Sequence, residues 1–168
     1  MASPFVLRRT TARTLLLDPD GRSLLIRSSD PVDRAKAPWW ELPGGGIEGR
    51  ERPEDAAARE LEEETGITEV QMGPCVWTQR VRFTFAGMRF DQFEHVHVAW
   101  TPAAVDLAPR RLEALEAMAF EGHRWWSADD LAVAPDQVFP ARIREVLHDV
   151  VAGRIPPTPI DITPPHEP

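Results

Sequence analysis

Apolar positions along the chain follow two periods, and the changes between them outline the fold. Thr11–Leu17 and Ser23–Arg27 are apolar or β-branched runs on either side of Asp18-Pro19-Asp20-Gly21, a hairpin-turn sequence. Ser28–Pro38 is a polar loop with two prolines, followed by an expected short strand near Trp40–Leu42. Pro53–Thr65 predicts a helix, with proline suited to the first turn, a run of alanines and Gly66 as the stop. Cys75–Phe85 and Phe90–Trp100 predict a second strand pair turned at Ala86-Gly87. Beyond it, Leu112–Ala119 is expected as a short helix or ordered loop and His123–Trp126 as a strand. Ala128–Leu131 is a helical turn after Ser127. Phe139–Val151 shows helical spacing in Ile143, Val146, Leu147, Val150 and Val151, with Gly153 as a stop. The order is α/β, and no internal repeat is visible.

Composition sets the frame for this pattern. A chain of 168 residues favours one domain with a real core, here residues 1–153. From Arg154 six of fifteen residues are proline, so 154–168 is expected to be an extended or mobile tail without a core of its own. The net charge of −8 argues against non-specific binding of DNA or of an anionic membrane, both of which favour basic surfaces. The single cysteine, Cys75, allows no internal disulfide and points to the reducing cytoplasm. No window approaches the ~18 apolar residues that a membrane helix requires. Arg8-Arg9 is similar to a twin-arginine export signal, but the apolar run after it is only Leu15-Leu16-Leu17, so no signal peptide is expected.

The chemistry concentrates in Gly45–Ile67, GGIEGRERPEDAAARELEEETGI. At about 100° per residue, Glu60, Glu63 and Glu64 fall within roughly a 100° arc of the predicted helix. Carboxylates so spaced repel one another, and a hard divalent cation with a preference for oxygen ligands reverses that sign. Gly44, Gly45 and Gly46 form a loop that allows positive φ and close approach of backbone to ligand. No Gly-Lys-Ser or Gly-Lys-Thr follows, so the loop is not a P-loop.

Gly45, Glu51, Arg59, Glu60, Leu61, Glu63, Glu64, Gly66 and Ile67 match every fixed position of the Nudix box, and the chain resembles the Nudix hydrolases from about Ala12 to Val151. The resemblance implies an α+β Nudix fold, a curved mixed sheet between helices with the box as a loop-helix-loop. It implies Glu60 and Glu64 as metal ligands, Glu63 as a further ligand or water-orienting group, and the Gly45 carbonyl as part of the metal shell. Glu51 and Arg59 then brace the loop against the helix. The implied cofactor is Mg²⁺ or Mn²⁺. The implied reaction is hydrolysis of the diphosphate bridge in a nucleoside diphosphate linked to another moiety, releasing a nucleoside monophosphate. Triphosphates, ADP-ribose, dinucleotide cofactors and dinucleoside polyphosphates are all candidates, with capped RNA least favoured by the acidic charge. Homodimers are common among relatives.

Outside the box the candidates for substrate contact are Trp39, because a nucleobase stacks on aromatic rings, and Arg27, Arg80 and Arg82 as phosphate clamps. Glu94, Glu116 and Glu121 are candidates for a further carboxylate at the metal site. Glu94 sits among alternating apolar residues, where an inward carboxylate needs a reason and an outward, solvated one is equally expected. His95 and His97 share one strand face but lack a third zinc ligand at suitable spacing, so they are expected to pair across a solvent-facing sheet. The alternative function is a non-catalytic nucleotide-sensing module of the same fold, which the intact Glu60, Glu63 and Glu64 disfavour. An isoprenoid isomerase of this fold needs a cysteine before the box, and Cys75 follows it.

Overall fold

The computed structural model describes residues 5–109 and 111–165. In chain order the elements are β1 (Val6–Leu17), β2 (Ser23–Ser28), β3 (Trp39–Glu41), β4 (Gly44–Gly46), α1 (Pro53–Thr65), β5 (Gln71–Phe85) and β6 (Met88–Trp100). They continue with α2 (Ala114–Ala119), β7 (Phe120–Trp126), α3 (Ala128–Val133), β8 (Gln137–Phe139), α4 (Ile143–Val151) and β9 (Ile160–Asp161). Among the described residues nine strands make one curved mixed sheet, with α1 on one face and α3 and α4 on the other.

Strand β1 organises this arrangement. It runs parallel to β6 from Val6↔Arg89 to Leu17↔Trp100, antiparallel to β4, and meets β2 at Leu17↔Ser23. Its leucines point alternately to the two faces. Leu15 and Leu17 join Ile143, Leu147 and Val150, while Leu16 packs with Leu61 and Ala12 with Ala56 and Ala57. Burial on both faces explains the unbroken apolar run Leu15-Leu16-Leu17, each side chain contributing roughly 1.5–3 kcal/mol.

Helix α1 begins with Pro53 and ends at Gly66, whose φ of 74° places it in the left-handed region while its N–H reaches the Glu62 carbonyl at 2.8 Å. A β-carbon at Gly66 would also clash with the Ala108 carbonyl oxygen. Two requirements therefore fall on one residue.

Two expectations need correction. The glycine segment is not a free loop, because Gly44–Gly46 pairs antiparallel with Thr11–Arg13. Nor is the segment after Arg154 a mobile tail. Ile160 and Asp161 pair with Trp77 and Thr78 of β5, Ile162 is fully buried in the main core, and the Arg80 N–H donates to Thr163 Oγ1 at 2.9 Å. Proline content hid this, since one isoleucine and a two-residue strand are enough to dock a segment that lacks a core of its own. Residues 166–168 lie outside the described residues.

Gly66→Ala is expected to lower the unfolding free energy by about 1–3 kcal/mol through left-handed strain alone, with the Ala108 contact adding to it. Urea denaturation checks this; an unchanged midpoint would show that the helix end relaxes freely.

Candidate functional site

A cleft of about 990 Å³ opens over β4, with the C-terminal half of α1 at one end and the β5–β6 turn at the other. At the first end the carboxylate oxygens of Glu60, Glu64 and Glu116 lie within 4.8 Å of one another. Glu60 and Glu64 are one helical turn apart and buried at 8% and 9% exposure. Glu116 arrives from the first turn of α2, where its Oε2 accepts the Glu113 N–H at 2.8 Å in a capping box. The Gly44 N–H donates to Glu64 Oε2 at 2.9 Å, and a β-carbon at Gly45 would fall 2.7 Å from the Glu60 carboxylate. Glycine is required at 45 for that approach.

Electrostatics set this end apart. Burial, opposed by the Gly44 N–H and reinforced by Glu116, pushes the Glu64 carboxyl well above the usual range. Burial also raises Glu60 against the pull of Arg59, and raises Glu116 against the Glu113 N–H, with the charges of Glu113 and Glu63 adding to the rise. Three mutually repelling oxygen donors suit a hard divalent cation, and the residues present fit one.

Glu63 is not part of this group. Its carboxylate turns to Arg59, whose Nη1 donates to Glu63 Oε2 at 3.2 Å and to Glu60 Oε1 at 2.9 Å. Positions four apart share a helix stripe, so 60 and 64 meet while 63 pairs with 59. Arg59 also donates to both oxygens of Glu51, at 2.7 and 3.2 Å, and to the Gly46 carbonyl at 2.9 Å. It thus ties the segment after β4 to the helix.

The other candidates separate by strand face. Trp39 lines the cleft, edge-on to Phe85 and Phe139 at 6.2 and 6.5 Å between ring centres. Arg27 is not brought to the site. Ile26 and Ser28 face the cleft, and the intervening Arg27 turns away to Glu121, at 3.5 Å, and to the ring of Trp40. Alternation also accounts for Glu121, which is occupied by that contact. Arg80 and Arg82 stand at the rim beside Asp91, Arg80 held by two hydrogen bonds at 2.8 Å and Arg82 by one ion pair at 3.4 Å. His97 is buried rather than on a solvent-facing sheet, its Nδ1 3.1 Å from the Gly73 carbonyl.

Glu94 points inward and has a partner. Arg13 Nε donates to its Oε1 at 2.8 Å, Gln79 and Gln92 donate their amides, and burial that would raise its carboxyl is overcome, so that it sits below the ordinary value. Arg13 also donates to the Leu42 carbonyl at 2.8 Å. Arg13, Arg9 and Lys36 all line the cleft and were not among the candidates. Arg9 donates Nε to Gln92 Oε1 at 2.9 Å with its guanidinium 4.9 Å from the centre of the Phe90 ring, and Lys36 reaches in from the polar loop. The signal for the arginines was their alternation, Arg9-x-Thr11-x-Arg13, on one face of a strand.

An acidic oxygen cluster at one end of a cleft in a curved mixed sheet is a donor set suited to a hard cation. A sequence profile of the NUDIX domain matches residues 7–150, and the chain belongs to the Nudix family of hydrolases. A nucleoside triphosphatase NudI of Escherichia coli O139:H28 is 30% identical over 131 residues, 74% of this chain and 86% of that protein. An RNA pyrophosphohydrolase of Bartonella clarridgeiae is 52% identical over 52 residues, which cover 31% of this chain and only 29% of that protein's length. The MutT protein of Methanosarcina mazei Go1 aligns with 90% of this chain and 98% of its own at a TM-score of 0.57 and 24% identity. The E. coli dihydroneopterin triphosphate pyrophosphohydrolase, at 17% identity, covers 86% of this chain and 95% of its own with a TM-score of 0.62. These two structures share the fold.

Arg13 and Glu94 are 13% and 4% exposed at their side chains, so each charge depends on the other. Arg13→Met is expected to cost about 3–5 kcal/mol of stability, and adding Glu94→Met to restore more than half of it. A double-mutant cycle in urea measures the coupling; additive losses would show that the pair is not coupled.

Proposed function

We propose that this protein hydrolyses the diphosphate bridge of a nucleoside diphosphate linked to another moiety, with Mg²⁺ (or Mn²⁺) held by Glu60, Glu64 and Glu116. The observation that carries the reading is the approach of these three carboxylates within 4.8 Å at one end of a cleft that also holds Arg9. The Gly45 main chain, against which Glu60 rests, offers a further oxygen. The similarity to a protein named nucleoside triphosphatase over 74% of the chain supports a triphosphate among the candidate substrates. The pyrophosphohydrolase match is confined to about a third of the chain and supports the chemistry of the box rather than RNA as substrate.

In this reading water adds to one phosphorus of the bridge and the bridging oxygen leaves with the other phosphate. A divalent ion held there would neutralise phosphate charge and make its bound water more acidic. Gly44 fixes Glu64 through its N–H, and Arg59 fixes Glu60 and Glu63 together, leaving Glu63 to orient water at the margin of the cluster. Arg9, aimed by Gln92 and Phe90, keeps its terminal N–H groups free of protein acceptors among the described residues, so a phosphate can take them bidentately. Burial first, and then the Arg13 charge, lowers the proton affinity of Arg9, while Glu94, Glu116 and Glu60 support it; an incoming phosphate adds to that support. Trp39 provides a ring at the far end for the nucleobase. The intact carboxylates favour catalysis over a purely sensing role, and the free thiol of Cys75 suits the cytoplasm.

The test is product analysis with purified protein across nucleoside triphosphates, ADP-ribose, dinucleotide cofactors and dinucleoside polyphosphates. Nucleoside monophosphate release is expected, abolished by a chelator. Glu64→Gln and Glu63→Gln are each expected to cut turnover roughly 10²–10³-fold with the fold intact. Near-normal Mg²⁺-dependent turnover in both variants would place the site elsewhere. For Arg9→Met, KM is expected to rise about tenfold with kcat changing less. A change confined to kcat would remove Arg9 from substrate binding.

A further inference from the structure

The aromatic end of the cleft carries one cation whose position is fixed by the protein. Lys36 is the only lysine in a chain with eighteen arginines. Its Nζ donates to Asp30 Oδ2 at 2.9 Å and to the Thr84 carbonyl at 2.8 Å. An ammonium has three donors, so two are used and the third has no acceptor among the described residues. Asp30 is itself held rigidly, its carboxylate 2% exposed and accepting the N–H groups of Val32, Asp33 and Ala86. The polar loop is thereby latched to the β5–β6 turn, and Lys36 is oriented rather than free to sweep solvent. Trp39, Phe83 and Phe85 line the same cleft, with Trp39 edge-on to Phe85 and Phe85 next in sequence to Thr84, and offer aromatic faces to a flat ring.

A ring seated there meets a charged donor at its edge. An ammonium prefers a carbonyl oxygen, or the carbonyl and ring-nitrogen pair of an oxo-purine, over an exocyclic amino group, which presents hydrogens. We propose that Lys36 is a specificity-determining residue whose third N–H reads a ring carbonyl, so that the cleft selects nucleotides of 6-oxopurines and 4-oxopyrimidines over their amino counterparts. The inference rests on the nucleotide reading above and narrows its substrate class.

The experiment compares kcat/KM with Mg²⁺ for inosine against adenosine triphosphate and for uridine against cytidine triphosphate. The oxo member of each pair is expected to be favoured about tenfold or more, the preference shrinking to about twofold or less in Lys36→Met through loss on the oxo substrates alone. Equal rates within each pair in the unaltered protein, or an equal loss on both members in the variant, overturns the proposal and leaves Lys36 as a loop latch.

Because Lys36→Met strips Asp30 of its cation and can disorder the loop, a second readout uses the unaltered protein. As the sole lysine, Lys36 can be followed by acylation with an amine-reactive reagent and peptide mass. Inosine triphosphate is expected to slow its acylation and adenosine triphosphate to leave it unchanged; equal effects of the two overturn the proposal. Oxo-selective protection without hydrolysis of any nucleotide would sink the hydrolase reading and keep the Lys36 site. Hydrolysis without oxo preference does the reverse.

Discussion

The site depends on how closely α1 approaches the strands beneath it. Ala12 on β1 and Ala56 and Ala57 on the helix are fully buried against one another, and Thr14 Oγ1 donates to the Ala57 carbonyl at 3.1 Å. Small side chains on both surfaces bring the backbones near enough for the Gly44 N–H to reach Glu64 and for Glu60 to rest on Gly45. A larger residue at any of these positions would lift the helix and pull the carboxylates off the glycine strand. Helix–strand spacing and ligand geometry are therefore one constraint.

That approach is electrostatically unfavourable in isolation. The last turn of α1 carries Glu62, Glu63 and Glu64 at the negative end of the helix dipole and has no basic residue. Arg59 offsets part of the repulsion by spanning Glu51, Glu60 and Glu63, but leaves Glu64 to a single N–H and to burial. On the other side of the cleft the balance is closed: the charge of Glu94 is matched by Arg13 and by two amides. One wall is electrostatically complete and stiff, while the other holds an unbalanced negative charge, as a cation-binding surface requires.

The parts of this protein that were legible in the sequence are those fixed by local chemistry. Pro53 and Gly66 bound α1, Asp18-Pro19-Asp20-Gly21 turns the first hairpin, and Ala86-Gly87 turns the second at positive φ. The glutamates of the box were visible for the same reason. What could not be read was which residues the topology gathers from afar. Glu116 stood as one carboxylate among three candidates until α2 carried it to the cluster. Which way Arg27 faces depends on the one-residue phase of β2, which its polar and apolar neighbours do not set. Ile162 was hidden within a proline-rich segment because a single buried side chain leaves no period to detect.

The parallel pairing of β1 with β6 also bears on how the chain comes together. Arg13 and Glu94 are 81 positions apart, and everything between them, including the whole box, is a loop that must close before β1 gains its central partner. Closure of so long a loop costs chain entropy before any contact returns it. Topologies dominated by such distant pairings fold slowly, since local hairpins and helices form first and wait. For this protein the two hairpins and α1 are those local pieces, and β1–β6, β2–β7 and β3–β8 are the distant pairings that join them. The carboxylates of α1 and the arginines of β1 therefore meet only through pairings distant in sequence, not within one local piece.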